Sequence, residues 1–523
     1  MSDDITVRNQ LLARRGETHP GLLSGDDSWT WDEVVQESCV RSALMASLLS
    51  ADAPPHVGVL LDNTPEFAFL LGGAALGGQV VVGLNTTRRG PALADDVRRS
   101  DCQVVVTDES YAGLLEDVTV PVLRVDSAEW AGLLAAHAGA PVPDVEVGME
   151  TLMMLIFTSG TSGNPKAVNV TQVKIAFPGL FLSDRFGLGP EHTAYLSMPM
   201  FHSNAIMAGW GPALASGTTI ALAPRFSASG FLADVRRYGA TYANYVGKPL
   251  TYIMGTPEQP DDADNPLQVV FGNEANDRDI EAFGKRFGCV VVDSYSSTEN
   301  AVVVQRVPEM PPGSLGMPLD GVKVLHADTM AETVDAVFGP SGELLNAEEA
   351  TGELVNTQGA GAFSGYYKDP DAEAERMRAG MYWSGDLAYR DADGFVYFAG
   401  RTADWLRVDG ENLGAAPIER ILLRHPAISE AAVYAVPDES VGDQVMAAVD
   451  LLAPLSPADL EAFLSAQEDL SPKAWPRYVR IVDALPRTAT NKVLKRQLSA
   501  QGATADGDVV WTRTARSTSY VVG

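Results

Sequence analysis

Between His56 and Thr107 the chain alternates short apolar runs with a stretch of helical length, and this pattern limits the fold more than any other feature. His56-Val57-Gly58-Val59-Leu60-Leu61 reads as a strand, Phe67 to Leu76 as a helix, Val80-Val81-Val82 as a strand and Cys102 to Thr107 as another. Apolar runs without polar alternation belong to strands covered on both faces. Strands of that kind joined through helices form βαβ units and parallel sheet. Thr218 to Leu222, Leu267 to Phe271 and Cys289 to Val292 continue the pattern. The fold class is therefore α/β, with a large N-terminal domain of parallel or mixed sheets and helices. Gly73 and Gly77 leave room for close helix packing.

After about Val302 the texture changes. Glycine and proline punctuate short strands in PPGSLGMPLDGVKVL, TGELVNT and DGFVYFAGR, which read as a smaller β-rich subdomain. From Arg401 a separate pattern begins: a helix over Pro417–Arg424, a strand over Ala431–Val436 and a helix over Ser456–Gln467. Ser456 and Pro457 supply that last helix with an N-cap and a first-turn proline. A chain of 523 residues exceeds what one core can serve. The expected division is 1–400 and a small α+β domain, 401–523. The tail after Ser499 is polar and aperiodic, and is expected to be poorly ordered.

Composition excludes some functions. The formal charge of −30 repels nucleic acid and anionic lipid. Cys39, Cys102 and Cys289 are too few and too scattered for a disulfide framework or a zinc site. The start, MSDDITVRNQ, has no basic stretch followed by an apolar one, so no signal peptide is read. The apolar run from Phe67 to Leu84 is broken by Gln79 and reads as buried helix and strand rather than a membrane span. A reducing cytoplasm fits these features.

The sharpest chemical signal is Phe157-Thr158-Ser159-Gly160-Thr161-Ser162-Gly163-Asn164-Pro165-Lys166. It follows the apolar run Leu152 to Ile156, so it sits at a strand end. Glycines let backbone amides approach an anion, hydroxyls donate to it and a lysine adds charge, which points to phosphate. It is not a Walker A loop, since no GxxxxGK[ST] is present. No GxSxG elbow is present either, which disfavours a serine hydrolase.

With this loop the sequence resembles the adenylate-forming superfamily of acyl-CoA synthetases, nonribosomal adenylation domains and luciferases. Further matches follow in order along nearly the whole chain. Pro199-Met200-Phe201-His202 resembles the aromatic gate, Tyr295-Ser296-Ser297-Thr298-Glu299 the YGxTE motif and Ser384-Gly385-Asp386-Leu387 the TGDL motif. Gly400-Arg401 resembles the start of the hinge, and Pro486-Arg487-Thr488-Ala489-Thr490-Asn491-Lys492 the C-terminal lysine motif.

The resemblance implies an AMP-forming acid:thiol ligase that uses ATP, Mg²⁺ and coenzyme A. It implies catalytic roles for Lys492, Glu299, Thr158 and His202. Nucleotide contacts would come from Thr158, Ser159, Gly160, Thr161, Ser162, Gly163, Lys166, Tyr295, Ser296, Thr298, Asp386 and Arg401. Glu299 would hold Mg²⁺, Tyr295 would offer a flat face to adenine and Asp386 would accept the ribose hydroxyls. Read alone, Glu299 would be a loop acid, Asp386 a turn aspartate and Lys492 a surface lysine. Phe201, His202, Gly247, Gly272 and Asn273 would face the acyl group, and Asp409, Gly410 and Glu411 the coenzyme A. The small domain would be mobile about a hinge at 401–404.

No acid follows Phe201 in Phe201-His202-Ser203-Asn204, which disfavours an amino acid substrate. Tyr245 to Leu250, Gly272 to Ala275 and Trp405 to Asn412 are similar to the very-long-chain acyl-CoA synthetase and fatty-acid transport protein branch. A bulky apolar acid is thus expected: a fatty, steroid or terpenoid carboxylate. Whether the enzyme is a homodimer stays open. Ser296 and Asn300 depart from the family's usual glycines, and Ala403, Trp383 and Ser384 depart from its usual residues at the hinge and before GDL. A side chain at Ser296 is expected to crowd the substrate carboxylate and slow adenylation. Two other readings remain: an enzyme that mainly performs thioesterification of an acyl-adenylate, and a lipid-binding or uptake-coupled protein.

Overall fold

The computed structural model describes residues 4–158, 165–275, 277–340, 344–401, 405–408, 411–438, 442–467, 470, 474–487, 493–502, 509–513 and 517–522. The chain divides into two compact units. One comprises the chain up to Asn300 together with Ala362–Ala374; the other comprises Ala301–Gly361 and the chain from Glu375 onward. The second unit begins where the composition changes. Among the described residues, no helix is long and apolar enough to cross a membrane.

The first unit is α/β, as expected. One sheet runs Val122–Arg124, Val104–Thr107, His56–Leu60, Val80–Gly83, Leu152–Thr158, Lys166–Thr171 in spatial order. It is parallel except for its last pair. The apolar strands are buried on both faces because helices cover them. The helix Pro65–Gly77 shows why the sequence folds this way. Thr64 caps its N-terminus, Pro65 pre-sets its first turn and Gly78, at φ +73°, ends it. It packs on the helix Trp31–Leu48 so closely that a Cβ at Gly73 would stand 2.8 Å from the Ser42 backbone nitrogen.

The second sheet of this unit places Val290–Tyr295, Val269–Asn273, Tyr242–Val246, Thr193–Leu196, Thr219–Leu222 and Pro20–Ser24 side by side in parallel. Parallel strands end on one side, so Val246, Asn273 and Tyr295 come together although dozens of residues separate them. The carboxyl ends of such strands are where α/β folds bind ligands.

In the second unit, Val322–Leu325, Gly352–Asn356, Met381–Arg390 and Val396–Arg401 pair antiparallel, the β-rich subdomain read from the sequence. A further sheet gathers Trp405–Val408, Glu411–Gly414, Ile428–Asp438, Gly442–Leu451 and Tyr478–Ile481. The helices Ala415–Leu422 and Pro457–Ser465 accompany it, the latter with the expected Ser456 cap, closed into a capping box by Asp459.

The tail departs from expectation. Val509–Arg513 pairs with Tyr478–Ile481, and Tyr520–Val522 pairs in turn with Val509–Arg513. Trp511 and Tyr520 are buried in the apolar core of this part, beside Leu460, Leu464 and Trp475. The guanidinium of Arg513 donates to the carbonyls of Trp475 and Pro476. Two aromatic anchors at wide spacing leave no periodic trace, which is why the segment reads as disordered. Trp511→Ala should therefore destabilise the protein by about 3–5 kcal/mol, seen as a lower denaturant midpoint. A dangling tail would make the substitution nearly silent.

Candidate active site

The glycine-rich motif lies inside a hairpin. Leu152–Thr158 and Lys166–Thr171 run antiparallel, with Thr158 opposite Lys166, and the Thr158 hydroxyl donates to the Lys166 carbonyl at 3.4 Å. Ser159, Gly160, Thr161, Ser162 and Gly163 lie outside the described residues. The hairpin ends bracket them, with Thr158 before the turn and a buried Lys166 after it.

Behind that hairpin the structure assembles a buried polar cluster. The Tyr366 hydroxyl donates to Glu299 Oε1 at 2.8 Å. The Lys166 ammonium lies 5.3 Å from the centroid of the Tyr366 ring, and Phe363 meets that ring edge-on at 4.9 Å. Lys174, in the first turn of the helix Gln172–Phe186, is 3% exposed. Its ammonium donates to the Asn169 carbonyl at 3.4 Å and lies 6.0 Å from the Phe363 ring. Burial pushes its pKa down to about 8, against the pull of the Glu299 carboxylate, which raises it.

The expected Tyr295 to Glu299 motif follows the strand Val290–Tyr295. Ser296 and Asn300, which stand where the family pattern has glycines, bond to each other: the Ser296 hydroxyl donates to Asn300 Oδ1 at 2.7 Å. Asn300 is in the left-handed region at φ +53°, a conformation asparagine tolerates better than most side chains. The Ser296 hydroxyl is thus engaged within its own turn. Thr298 and Ser203 hydroxyls meet at 3.0 Å, which ties this motif to the gate at Phe201-His202.

Of the residues expected at the acyl group, Asn273 joins a polar seam with Asn204 and Asn244. Asn204 donates to the Tyr245 carbonyl at 2.8 Å, Asn244 donates to Asn204 Oδ1 at 2.7 Å and Asn273 donates to the Ser294 carbonyl at 2.6 Å. Gly247 sits at φ +76°, and a Cβ on Gly272 would run into the Tyr245 carbonyl, so neither position admits a side chain readily. Phe201 and Asn204 are buried. A π-helical turn, Ala205–Trp210, follows directly, a form that recurs at functional sites.

Asp386 and Arg401 belong to the second unit. They stand opposite each other on paired strands, Arg401 Nε 3.4 Å from Asp386 Oδ1. Gly385 at φ +75° donates its N–H to Glu353, and the Ser384 hydroxyl donates to the Leu354 carbonyl. Lys492, Asp409, Gly410 and residues 402–404 of the expected hinge at 401–404 lie outside the described residues, as does the side chain of Glu411. Sequence reasoning missed Lys174, Tyr366 and Phe363. The lone cation in Val173-Lys174-Ile175 was a visible signal; nothing in the sequence links Tyr366 to Glu299.

The AMP-binding enzyme family matches residues 10–367, and the AMP-binding enzyme C-terminal domain matches residues 417–492. A medium/long-chain-fatty-acid–CoA ligase, FadD17, of Mycobacterium marinum is 51% identical over 98% of this chain and 99% of its own. The steroid-22-oyl-CoA synthetase of Rhodococcus jostii is 48% identical over 96% of this chain and 92% of its own. A crystal structure of ATP-bound MatB from Rhodopseudomonas palustris shares the fold, with a TM-score of 0.83 at 21% identity, covering 95% of this chain and 99% of that one. The chain belongs to the AMP-binding enzyme family, among its AMP-forming acyl-CoA synthetases.

Enzymes of this class use ATP, Mg²⁺ and coenzyme A, and the residues present fit an ion that arrives with a nucleotide. Mg²⁺ is commonly held by one or two carboxylates plus substrate phosphates. Glu299 is one buried carboxylate, bonded to Tyr366, which bridges to the strand after the glycine-rich motif. Among the described residues, no group of three or more His, Cys, Asp or Glu side chains forms a self-sufficient metal cage.

Lys174 carries a measurable cost. Its folded-state pKa is near 8 and its ordinary value is 10.5, so between these pH values the unfolded chain binds more protons and stability rises with pH. Lys174→Met should therefore stabilise the protein at pH 7, by up to on the order of 3 kcal/mol. That advantage should shrink as pH climbs from 8 to 10.5. Denaturant titrations at pH 7 and pH 10 check this; a gap independent of pH would contradict it.

Proposed function

We propose that this enzyme activates a bulky apolar carboxylic acid, of the fatty or steroid side-chain type, as its acyl-adenylate and passes the acyl group to coenzyme A. The observation that carries the reading is the buried Glu299–Tyr366–Lys166 cluster at the base of a glycine-rich hairpin. A lipid-binding protein has no use for a desolvated carboxylate and cations beside a phosphate loop, because their burial costs stability. The substrate class draws on the similarity to the fatty-acid and steroid ligases and on the absence of an acid after Phe201.

In this reading each residue has one task. The loop amides and hydroxyls from Thr158 to Gly163, with Lys166, hold the nucleotide's phosphates. Glu299 supplies the carboxylate for Mg²⁺, whose charge screens the triphosphate when it is bound. Tyr295 covers the adenine, while Asp386 accepts the ribose hydroxyls and Arg401 orients Asp386. Phe201, His202, Gly247, Gly272 and Asn273 line the acyl side. Lys492 neutralises charge that develops at the α-phosphorus as the acid attacks and pyrophosphate leaves. For the second step the small domain turns about a hinge at 401–404 and brings Asp409, Gly410 and Glu411 to the site. Lys492 and this segment belong to one small domain and act in different steps.

Pyrophosphate release with ATP and Mg²⁺, in the absence of coenzyme A, tests the assignment across long-chain acids, steroid carboxylates, short polar acids and amino acids. Release with the apolar acids and none with amino acids is expected. Lys492→Ala should lower that release by roughly 10²–10³-fold and leave thioester formation from a supplied acyl-adenylate near the parent rate. Equal losses in both half-reactions would remove Lys492 from the first step alone. Failure of every acid to release pyrophosphate, with thioesterification intact, would make this a partial-reaction enzyme.

A further inference from the structure

Tyr366 lies near the end of the stretch that the AMP-binding enzyme family matches and outside the glycine-rich, gate, YGxTE, TGDL, hinge and lysine motifs, yet the fold holds it in place. The segment 364–367 is stitched onto the strand Lys166–Thr171 as that strand returns from the glycine-rich loop. The Asn169 N–H donates to the Gly365 carbonyl at 3.1 Å and the Tyr367 N–H donates to the Ala167 carbonyl at 2.8 Å. The Asn169 side-chain amide donates to the Ser364 carbonyl at 3.0 Å, and Val168 and Tyr366 face each other as an antiparallel bridge. Tyr366 is 4% exposed and is held by the Phe363 ring on one side and the Lys166 ammonium on another. From that position its hydroxyl reaches the Glu299 carboxylate at 2.8 Å.

The consequence is geometric. Glu299 arrives on a turn after the second sheet, while Tyr366 is fastened to the strand Lys166–Thr171 of the first. A glutamate has three rotatable side-chain bonds and its terminal torsion is broad, so backbone placement alone does not fix the plane of its carboxylate. A hydrogen bond to one oxygen restricts that plane. The cation above the ring polarises the tyrosine and strengthens its donation. Groups that hold a metal-binding side chain in this way are worth about 10–100-fold in metal affinity or activity.

We infer that Tyr366 is a positioning residue, which sets the Glu299 carboxylate relative to the phosphate loop so that it meets the metal–nucleotide in one orientation. This rests on the reading of Glu299 as the Mg²⁺ carboxylate, and the test separates the two. Tyr366→Phe removes the hydroxyl and keeps the ring, and thus the packing against Phe363 and Lys166. Adenylation by the full-length enzyme is followed as pyrophosphate release while free Mg²⁺ is titrated at saturating ATP, for the parent, Tyr366→Phe, Glu299→Gln and the double variant. Tyr366→Phe is expected to raise the Mg²⁺ midpoint about tenfold, to leave thioester formation from a supplied acyl-adenylate unchanged and to add nothing in the Glu299→Gln background. A midpoint moved by Glu299→Gln and not by Tyr366→Phe overturns the positioning role and leaves Glu299 in place. Midpoints moved by neither overturn both readings. A rate lowered equally at all Mg²⁺ concentrations, with the midpoint unchanged, shows that the hydroxyl is structural and also overturns the inference.

Discussion

A carboxylate taken out of water must be given partners, and in this protein that requirement shapes the region around Glu299. An unpaired buried charge costs several kcal/mol. The protein meets this with the Tyr366 hydroxyl and with the positive charge of Lys174 nearby. The route of the chain reflects the same need. It leaves the first compact unit after Asn300 and returns to it for Ala362–Ala374. That short return contributes Phe363 and Tyr366, the two rings around which the lysines and the carboxylate are arranged.

The region is not optimised for stability. Lys174 would be replaced to advantage by an apolar side chain if packing alone mattered, since burial pushes its pKa well below the usual lysine range. Perturbed, desolvated groups of this kind gather where chemistry is done, and natural proteins tolerate their cost there. The surrounding scaffold supplies the surplus. The helix Pro65–Gly77 is apolar on every side, capped at both ends, and buries each residue from Phe67 to Leu76.

The Ser296–Asn300 pair shows how a departure from a family pattern is absorbed locally. Taken singly, each residue replaces a glycine with a side chain where close approach matters. Together they form one hydrogen bond inside one turn, and asparagine takes the left-handed conformation that glycine would have supplied. These two replacements of glycine are therefore one structural feature.

The sequence by itself determined the fold class, the order of the elements and the identity of the chemistry. Apolar runs of strand length and N-cap residues such as Thr64 and Ser456 are local signals, and local physics decides them. Glycine-rich and acidic motifs stay legible because each needs only a few adjacent residues. Only the tertiary structure decided what lies between those motifs. Tyr366 is separated from Glu299 by the passage of the chain through Ala301–Gly361 of the second unit, and Lys174 acquires its character from burial. The strands Val509–Arg513 and Tyr520–Val522 exist because Trp511 and Tyr520 find an apolar core to enter. Such pairings depend on which distant groups share a desolvated space, and the energy of a hydrogen bond or a buried charge is fixed by that space rather than by neighbours along the chain.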